Sequence, residues 1–377
     1  MRQYLLAEIS DNRHNFLKQM LPLEAECILR YNVASTARLV VKNNHPVLPL
    51  ITDPSIEGAR ATLWLIRFGQ STVLKHKLLE GEIGDVEGAG PYGDVTIPVI
   101  DDWAWLDEIL AQPNPALPIT EQDREFARYS GPSDTRALNA IRQNAERLNL
   151  PWVVAASEGL GRTGVTDLRE QPLSAVAPDL TLDRLRLHMR RDAGHSWSIS
   201  VDRGDVYPRP LTPESGILTS WQWKRERRKY TRMVVGGSST GLDRKFASVV
   251  DATAEASVGR IKEGFVSATG ADTPGDLATF GRDALAAAGQ KASLVATLRE
   301  SSWFRFPDAY NIGTQVTVQP GAGVSVEDII TEVRIVQSRD GALVTTPRVG
   351  IADMDPSARL TKIIGSLASA VRGLERR

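Results

Sequence analysis

One cysteine, five histidines and almost no net charge mark this chain, with 45 Lys and Arg against 46 Asp and Glu over 377 residues. A lone Cys27 excludes an internal disulfide. Within Cys27-Ile28-Leu29 it reads as a small buried hydrophobe, which fits folding in a reducing cytosol. So few His and Cys leave little material for a metal centre. A net charge of -1 argues against a polyanionic partner held by bulk electrostatics. No apolar run approaches the roughly 20 residues of a membrane helix. The run Tyr4-Leu5-Leu6-Ala7 is too short for a secretory signal, and acids follow it. Internal repeats and low-complexity segments are also missing, so the expectation is a soluble protein.

What is present is an ordinary globular composition, 42% apolar and 24% charged, long enough for two or three domains. The most patterned stretch is 61–110. Thr62, Trp64, Ile66 and Phe68 alternate up to Gly69. Further strands are expected at 73–79, 82–87 and 95–100, before a short helix from Trp103. Period-two alternation broken by glycine predicts an antiparallel meander, and strands at 4–9, 27–32, 37–41 and 47–51 extend it. The middle of the chain reads as α+β, with helices over 133–148 and 180–191 and strands over 152–156 and 196–201. Strands return at 217–224, 231–235, 293–298, 315–318, 329–337 and 342–349. Pro274 opens a helix running towards Gly289, and Asp340-Gly341 makes a hairpin turn.

The organisation expected is mainly β with α+β insertions. Residues 1–102 form a barrel-like domain and 103–205 an α+β middle domain. Residues 206–350 form a second β-rich domain with closing barrel strands at 310–350. Residues 351–377 form an amphipathic helix whose Leu360, Ile364, Leu367, Val371 and Leu374 share one face. That stripe, with Trp103 and Trp105, makes the candidate oligomer or domain interface.

Motifs that carry chemistry are few. Gly159-Leu160-Gly161-Arg162-Thr163-Gly164 has the spacing of a dinucleotide loop, but Pro172 follows too soon for the helix that should seat a pyrophosphate. A flexible glycine loop is the default. Gly236–Gly241 lacks the lysine of a P-loop. His188, Asp192 and His195 match no zinc spacing. Asp101-Asp102, near Asp85 and Glu87, suggest glycosidase carboxylates, yet Asp102 stands where a helix N-cap is expected. No nucleophile elbow exists, so catalysis has no support and no cofactor is expected. Trp221 to Arg232 mixes aromatics with Lys224, Arg225, Arg227, Arg228 and Lys229. A nucleic-acid platform has this composition, and so does a strand, a solvated turn and a second strand with its aromatics packed inward.

The order of segments resembles the tail hub, or minor tail protein, family of long-tailed actinobacterial siphophages, related in fold to baseplate hubs of contractile tails. Tyr31-Asn32 leading to Leu39-Val40-Val41, Ala61–Leu65, Leu79–Ile83 and Val99–Trp103 carry the likeness. Arg232–Gly236, Tyr310–Val318 and Val333–Gly350 continue it. Thr314 departs from it, standing where such proteins often carry an acid, and the C-terminal helix has no match. The resemblance implies a homotrimeric ring capping the tail tube. It would join the distal tail protein to tip or fibre (receptor-binding) proteins and enclose a channel for transient DNA passage. The place would be the virion tail tip, assembled in the host cytoplasm, with no catalytic residue. The basic residues at 224–229 would face the channel. The rivals are a tail-associated cell-wall hydrolase and a nucleic-acid-binding module using 224–232. The hub of a phage-derived injection particle is a related case.

Overall fold

The computed structural model describes residues 3–53, 58–69, 72–90, 92–192, 196–237, 239, 241–268, 273–289, 291–321 and 323–350. The expected C-terminal helix, with Leu360, Ile364, Leu367, Val371 and Leu374, lies outside these. Among the described residues no helix is long and apolar enough to cross a membrane.

The fold is mainly β. Gln3–Ser10 buries Leu5, Ala7 and Ile9, and Arg60–Phe68 buries Ala61, Leu63 and Leu65. The two strands lie antiparallel with Leu5 opposite Leu65, Ala7 opposite Leu63 and Ile9 opposite Ala61. Such facing apolar pairs are the unit of sheet stabilisation, and each fully buried Leu or Ile contributes roughly 1.5–3 kcal/mol. Among the described residues thirteen strands join in one antiparallel sheet. It runs from Leu218–Glu226 through Lys291–Leu298, Leu343–Val349 and Val324–Gln337 to Glu24–Arg30. It continues through Thr36–Lys42, Asp94–Asp101, Val73–Ile83, Arg60–Phe68 and Gln3–Ser10 to Phe16–Met20.

This corrects the expectation of two separate barrels: strands from the first hundred residues and strands from 218–349 share one sheet, and no barrel closes among the described residues. The reason is the length of Val324–Gln337, 14 residues. Its first part pairs with Gln315–Gly321, and its second part takes Leu343–Val349 on one edge and Glu24–Arg30 on the other. Alternation identifies strands but not their partners. The sheet curls until Gln3–Ser10 comes beside the end of Val324–Gln337. There the Leu5 N–H donates to Gln337 Oε1 at 2.6 Å, and Gln337 Nε2 donates to the Pro22 carbonyl at 3.2 Å.

The middle of the chain builds a second core. Helix Ser133–Leu148 packs Leu138 and Ile141 with Leu106, Leu168, Leu180 and Ile199. It ends where expected, at Asn149 in a left-handed conformation with φ of 55°. Beside it Trp152–Val154, Trp197–Arg203 and Leu185–Arg191 form a three-stranded sheet. The helix expected over 180–191 is therefore wrong. Ala177–Leu182 is a helix, Arg184 breaks it at φ of 57°, and Leu185–Arg191 is a strand burying Leu185 and Leu187. The strand expected at 47–51 is a single helical turn, Leu48–Ile51, with Pro49 in its first turn. The break expected after Leu79 is absent, and Val73–Ile83 runs through Gly81.

A third small core belongs to the segment between Leu218–Glu226 and Lys291–Leu298. Arg232–Gly236 lies between Phe246–Val250 and Glu263–Ser267, and helix Pro274–Ala287 covers one face with Leu277 and Leu285. Thr273 caps that helix by accepting from the Asp276 N–H at 3.2 Å.

Replacing Gln337 by Ala strands the Leu5 N–H and the Pro22 carbonyl where the sheet curls back. The expected cost is about 1–3 kcal/mol of stability, read as a lower urea midpoint at constant slope. An unchanged midpoint would show that the curled edge holds without its side-chain latch.

Candidate functional site

The glycine loop after Trp152–Val154 lies over a helix N-terminus, but of the helix before it. Asp134 N–H donates to the Leu160 carbonyl at 3.2 Å, while the Asp134 carboxylate accepts from Ser157 Oγ and the Glu158 N–H, both at 2.9 Å. Asp183 accepts from the Arg162 N–H at 2.9 Å and from Ser133 Oγ. Burial pushes both carboxyls up, but these hydrogen bonds, with Leu160 and Thr135 at Asp134 and the Arg162 guanidinium at Asp183, outweigh it and hold them low. Two carboxylates thus stand where a phosphate would sit, and a ligand anion would meet like charge. Close packing explains Gly161. At φ of 86°, a Cβ there would stand 2.7 Å from Asp183 Oδ2 and 2.9 Å from Ser133 Cβ. Gly159, at φ of 75°, has nothing within 4 Å. Gly159→Ala should therefore cost only left-handed strain, about 1 kcal/mol, and Gly161→Ala a further 1–3 kcal/mol or so from the clash. Equal losses for the two variants in thermal unfolding would sink this packing account.

The other candidate motifs are also taken up structurally. His188 Nε2 lies 2.7 Å from Asp202, and Asp192 accepts from Ser198 Oγ at 3.2 Å, while His195 is outside the described residues. Among the described residues no group of three or more His, Cys, Asp or Glu could hold a metal. Gly236 lets Arg244 cross over it and donate to the Gly237 carbonyl at 3.0 Å, which fixes a strand end.

Asp102 is not a cap. No side-chain capping bond forms at that helix start; instead Asp102 takes the Arg60 guanidinium on one oxygen and Trp197 Nε1, at 2.8 Å, on the other. The carboxylate thereby links the large sheet to the three-stranded sheet. Trp103 is buried, and Trp105 packs edge-on against Trp152 and Trp197 with ring centroids 5.2 and 5.0 Å apart. Beside them a cleft of about 420 Å³ is lined by His76, Glu80, Asp101, Arg186, His188 and Arg191. Its charges are mostly matched in place: Arg191 meets Glu80 at 2.7 Å, and Arg186 and His188 both meet Asp202. Burial pushes the Asp101 carboxyl up to about 7, hydrogen bonds from Ser35 offsetting only part of that, and Asp102 nearby adds repulsion. The folded state then holds a proton that the unfolded chain releases near 4. This contribution to stability is full below pH 4 and lost as pH rises towards 7. Asp101→Asn should flatten that fall in unfolding measured from pH 4 to 7; a parallel curve for the variant would exclude Asp101 as its source.

Leu218–Glu226 is an edge strand of the large sheet, paired only with Lys291–Leu298 among the described residues. Trp221 is 36% and Trp223 48% exposed on it, so these aromatics do not pack wholly inward as expected. Lys224 and Arg227 are exposed, and Arg225 belongs to the strand. Arg228 is held by Asp251 at 2.8 Å, and the Lys229 N–H bonds the Ala288 carbonyl. Phe246 and Phe265 stand exposed on the open face of the small sheet with Arg244 over both rings, 5.8 and 5.3 Å from the centroids. Sequence reasoning missed this face, because Ala247 and Gly264 hide the alternation of its strands.

Comparison with known proteins adds two findings. Residues 204–351 match the family model described as Siphovirus ReqiPepy6 Gp37-like protein. In structure, the chain is similar to the 43 kDa tail protein of prophage MuSo2 from Shewanella oneidensis, with TM-score 0.54 and 14% identity over 92% of this chain and 98% of that one. It is similar to prophage tail protein gp18 from Listeria monocytogenes EGD-e, with TM-score 0.54 and 8% identity over 98% and 99%. The tail protein from Neisseria meningitidis MC58 gives 0.52 and 12% over 93% and 97%. No curated protein sequence matches the chain. The chain thus has the fold of phage tail proteins along nearly its whole length. The siphovirus match over 204–351 adds a sequence likeness to a phage family across that part of the chain, in keeping with the resemblance drawn from the sequence.

Proposed function

We propose that the chain is the tail-tip hub of a long-tailed phage: three copies in a ring that caps the tail tube and surrounds the channel through which DNA leaves. In this reading it bridges the distal tail protein to tip or fibre proteins and resides in the virion, assembled in the host cytoplasm. The observation that carries it is the superposition on whole tail proteins of nearly the same length. The open edge of the large sheet supports it, since Trp221 and Trp223 stand half-exposed on an edge strand that has one side unpaired among the described residues. In cyclic assembly one subunit's edge meets a different surface of the next, and aromatic anchors of this kind carry much of such contacts. The exposed Lys224 and Arg227 beside that edge suit a wall past which polyanionic DNA moves. The arrangement calls for no catalysis: Asp102, Asp134 and Asp183 are spent on structural contacts.

Native mass spectrometry of the purified chain should show a trimer. Trp223→Asp should shift the population towards monomer by about tenfold or more while the thermal unfolding of each subunit stays near wild type. A chain that remains monomeric both alone and with its neighbouring tail proteins would reject the ring.

A further inference from the structure

A groove of about 600 Å³ opens between the turn that follows Glu24–Arg30 and the helix Ala177–Leu182. Its apolar lining includes Val33, 53% exposed, Leu182, 55% exposed, and Ala177, Pro178 and Trp103. Trp103 Nε1 is buried with no hydrogen-bond partner among the described residues. Two exposed branched side chains around an indole make a surface that water solvates poorly.

The chain itself leads into this groove. Gly350, where the described residues end, is one of its wall residues. It is fixed there, its N–H donating to the Ile329 carbonyl at 3.0 Å and its carbonyl accepting from Thr331 Oγ1 at 2.7 Å. Residues 351–377 therefore start from the groove wall. Their sequence places Leu360, Ile364, Leu367, Val371 and Leu374 three and four apart, the spacing of one helical stripe. Such a stripe spans about 21 Å as a helix, and the residues before Leu360 reach about 30 Å when extended. Arg359 and Lys362 flank the stripe, and Asp107 stands on the groove.

We propose that residues 351–377 of the same chain occupy this groove, laying the Leu360–Leu374 stripe on Val33, Leu182, Ala177 and Trp103. The tether selects the chain's own segment over a neighbour's. A short linker holds it at an effective concentration in the millimolar range, above that of any separate copy at ordinary protein concentration. The segment then ties the end of the large sheet to the middle core, across the joint already bridged by Asp102.

Disulfide trapping in the full chain tests this, with Cys27 buried and out of reach. Leu182→Cys is combined in turn with Ile364→Cys, Leu367→Cys and Val371→Cys. Ser369→Cys, opposite the stripe at helical spacing, serves as control. At least one stripe pair should trap within a single chain, seen as a faster-migrating monomer under denaturing conditions, at several times the yield of the control. Mainly interchain products would assign the groove to a neighbour's segment and overturn the proposal, as would equal trapping by the control or none at all. Hydrogen exchange gives a reading free of cysteine geometry. Leu367→Asp in the full chain should speed exchange in Ala177–Leu182 about tenfold, and unchanged rates would also overturn the proposal. Intrachain trapping is expected whether the protein is monomer or trimer, so failure of the ring and failure of this docking are told apart.

Discussion

The ladder between Val324–Gln337 and Glu24–Arg30 is the constraint on which the rest depends. It joins segments three hundred residues apart, setting Val333 opposite Leu29 and Ile335 opposite Cys27, all buried in the shared core. Slipping this pairing by one residue would turn those side chains to the other face, so the register is held by the core itself. Every other strand of the large sheet is placed by stepping outward from this pair. The curl that brings Gln3–Ser10 back to Gln337 follows from it, as does the burial of the Cys27 thiol. Closing a contact between residues more than three hundred apart carries a loop-entropy cost, but that cost grows only slowly with length. A long strand with both edges paired can offset it.

The middle unit is set against this sheet by a polar seam rather than an apolar one. Asn32, at φ of 52°, sits in the turn after Glu24–Arg30, and its amide does the work of a strand. Its Oδ1 accepts from the Leu187 N–H at 2.8 Å, and its Nδ2 donates to the Leu185 carbonyl at 2.8 Å. Asp102 holds Arg60 on one side and Trp197 on the other. Arg186 donates to the Ile312 carbonyl at 2.6 Å, and Arg191 reaches Glu80. A seam of buried polar groups is satisfied in few relative orientations, because sliding leaves donors and acceptors unpaired. An apolar contact of equal area would tolerate sliding. The joint is therefore stiff by construction.

How far the sequence shows this depends on the range of the interactions. Ser133–Leu148 and Pro274–Ala287 are legible because their caps and stripes are local. Strand identities are largely legible too, from alternation at 4–9 and 61–68. Partners are not: nothing near Val333 names Leu29. The segment 180–191 misleads because Leu180, Leu185 and Leu187 serve either period, and the left-handed Arg184 that separates helix from strand leaves no glycine as a signal. At the joint, an acid before a helix can cap it or pair elsewhere, and Arg60, forty-two residues earlier, decides the matter for Asp102. At Thr314, where the hub pattern often carries an acid, the hydroxyl accepts the Asn311 N–H at 2.9 Å.

An open sheet has two edges, and here they are unequal. One ends in the short strand Phe16–Met20; the other is Leu218–Glu226, nine residues long with Trp221 and Trp223 half-exposed. A long edge of this kind invites pairing with any free strand, and proteins that live as monomers usually blunt it with charge, proline or a bulge. The exposed Lys224 supplies some charge, and the only register break in its ladder lies at the far end, between Leu218 and Ser220. The stretch carrying both tryptophans is regular. The small sheet also turns Phe246 and Phe265 outward. Left uncovered, a regular edge carrying two half-exposed tryptophans favours aggregation.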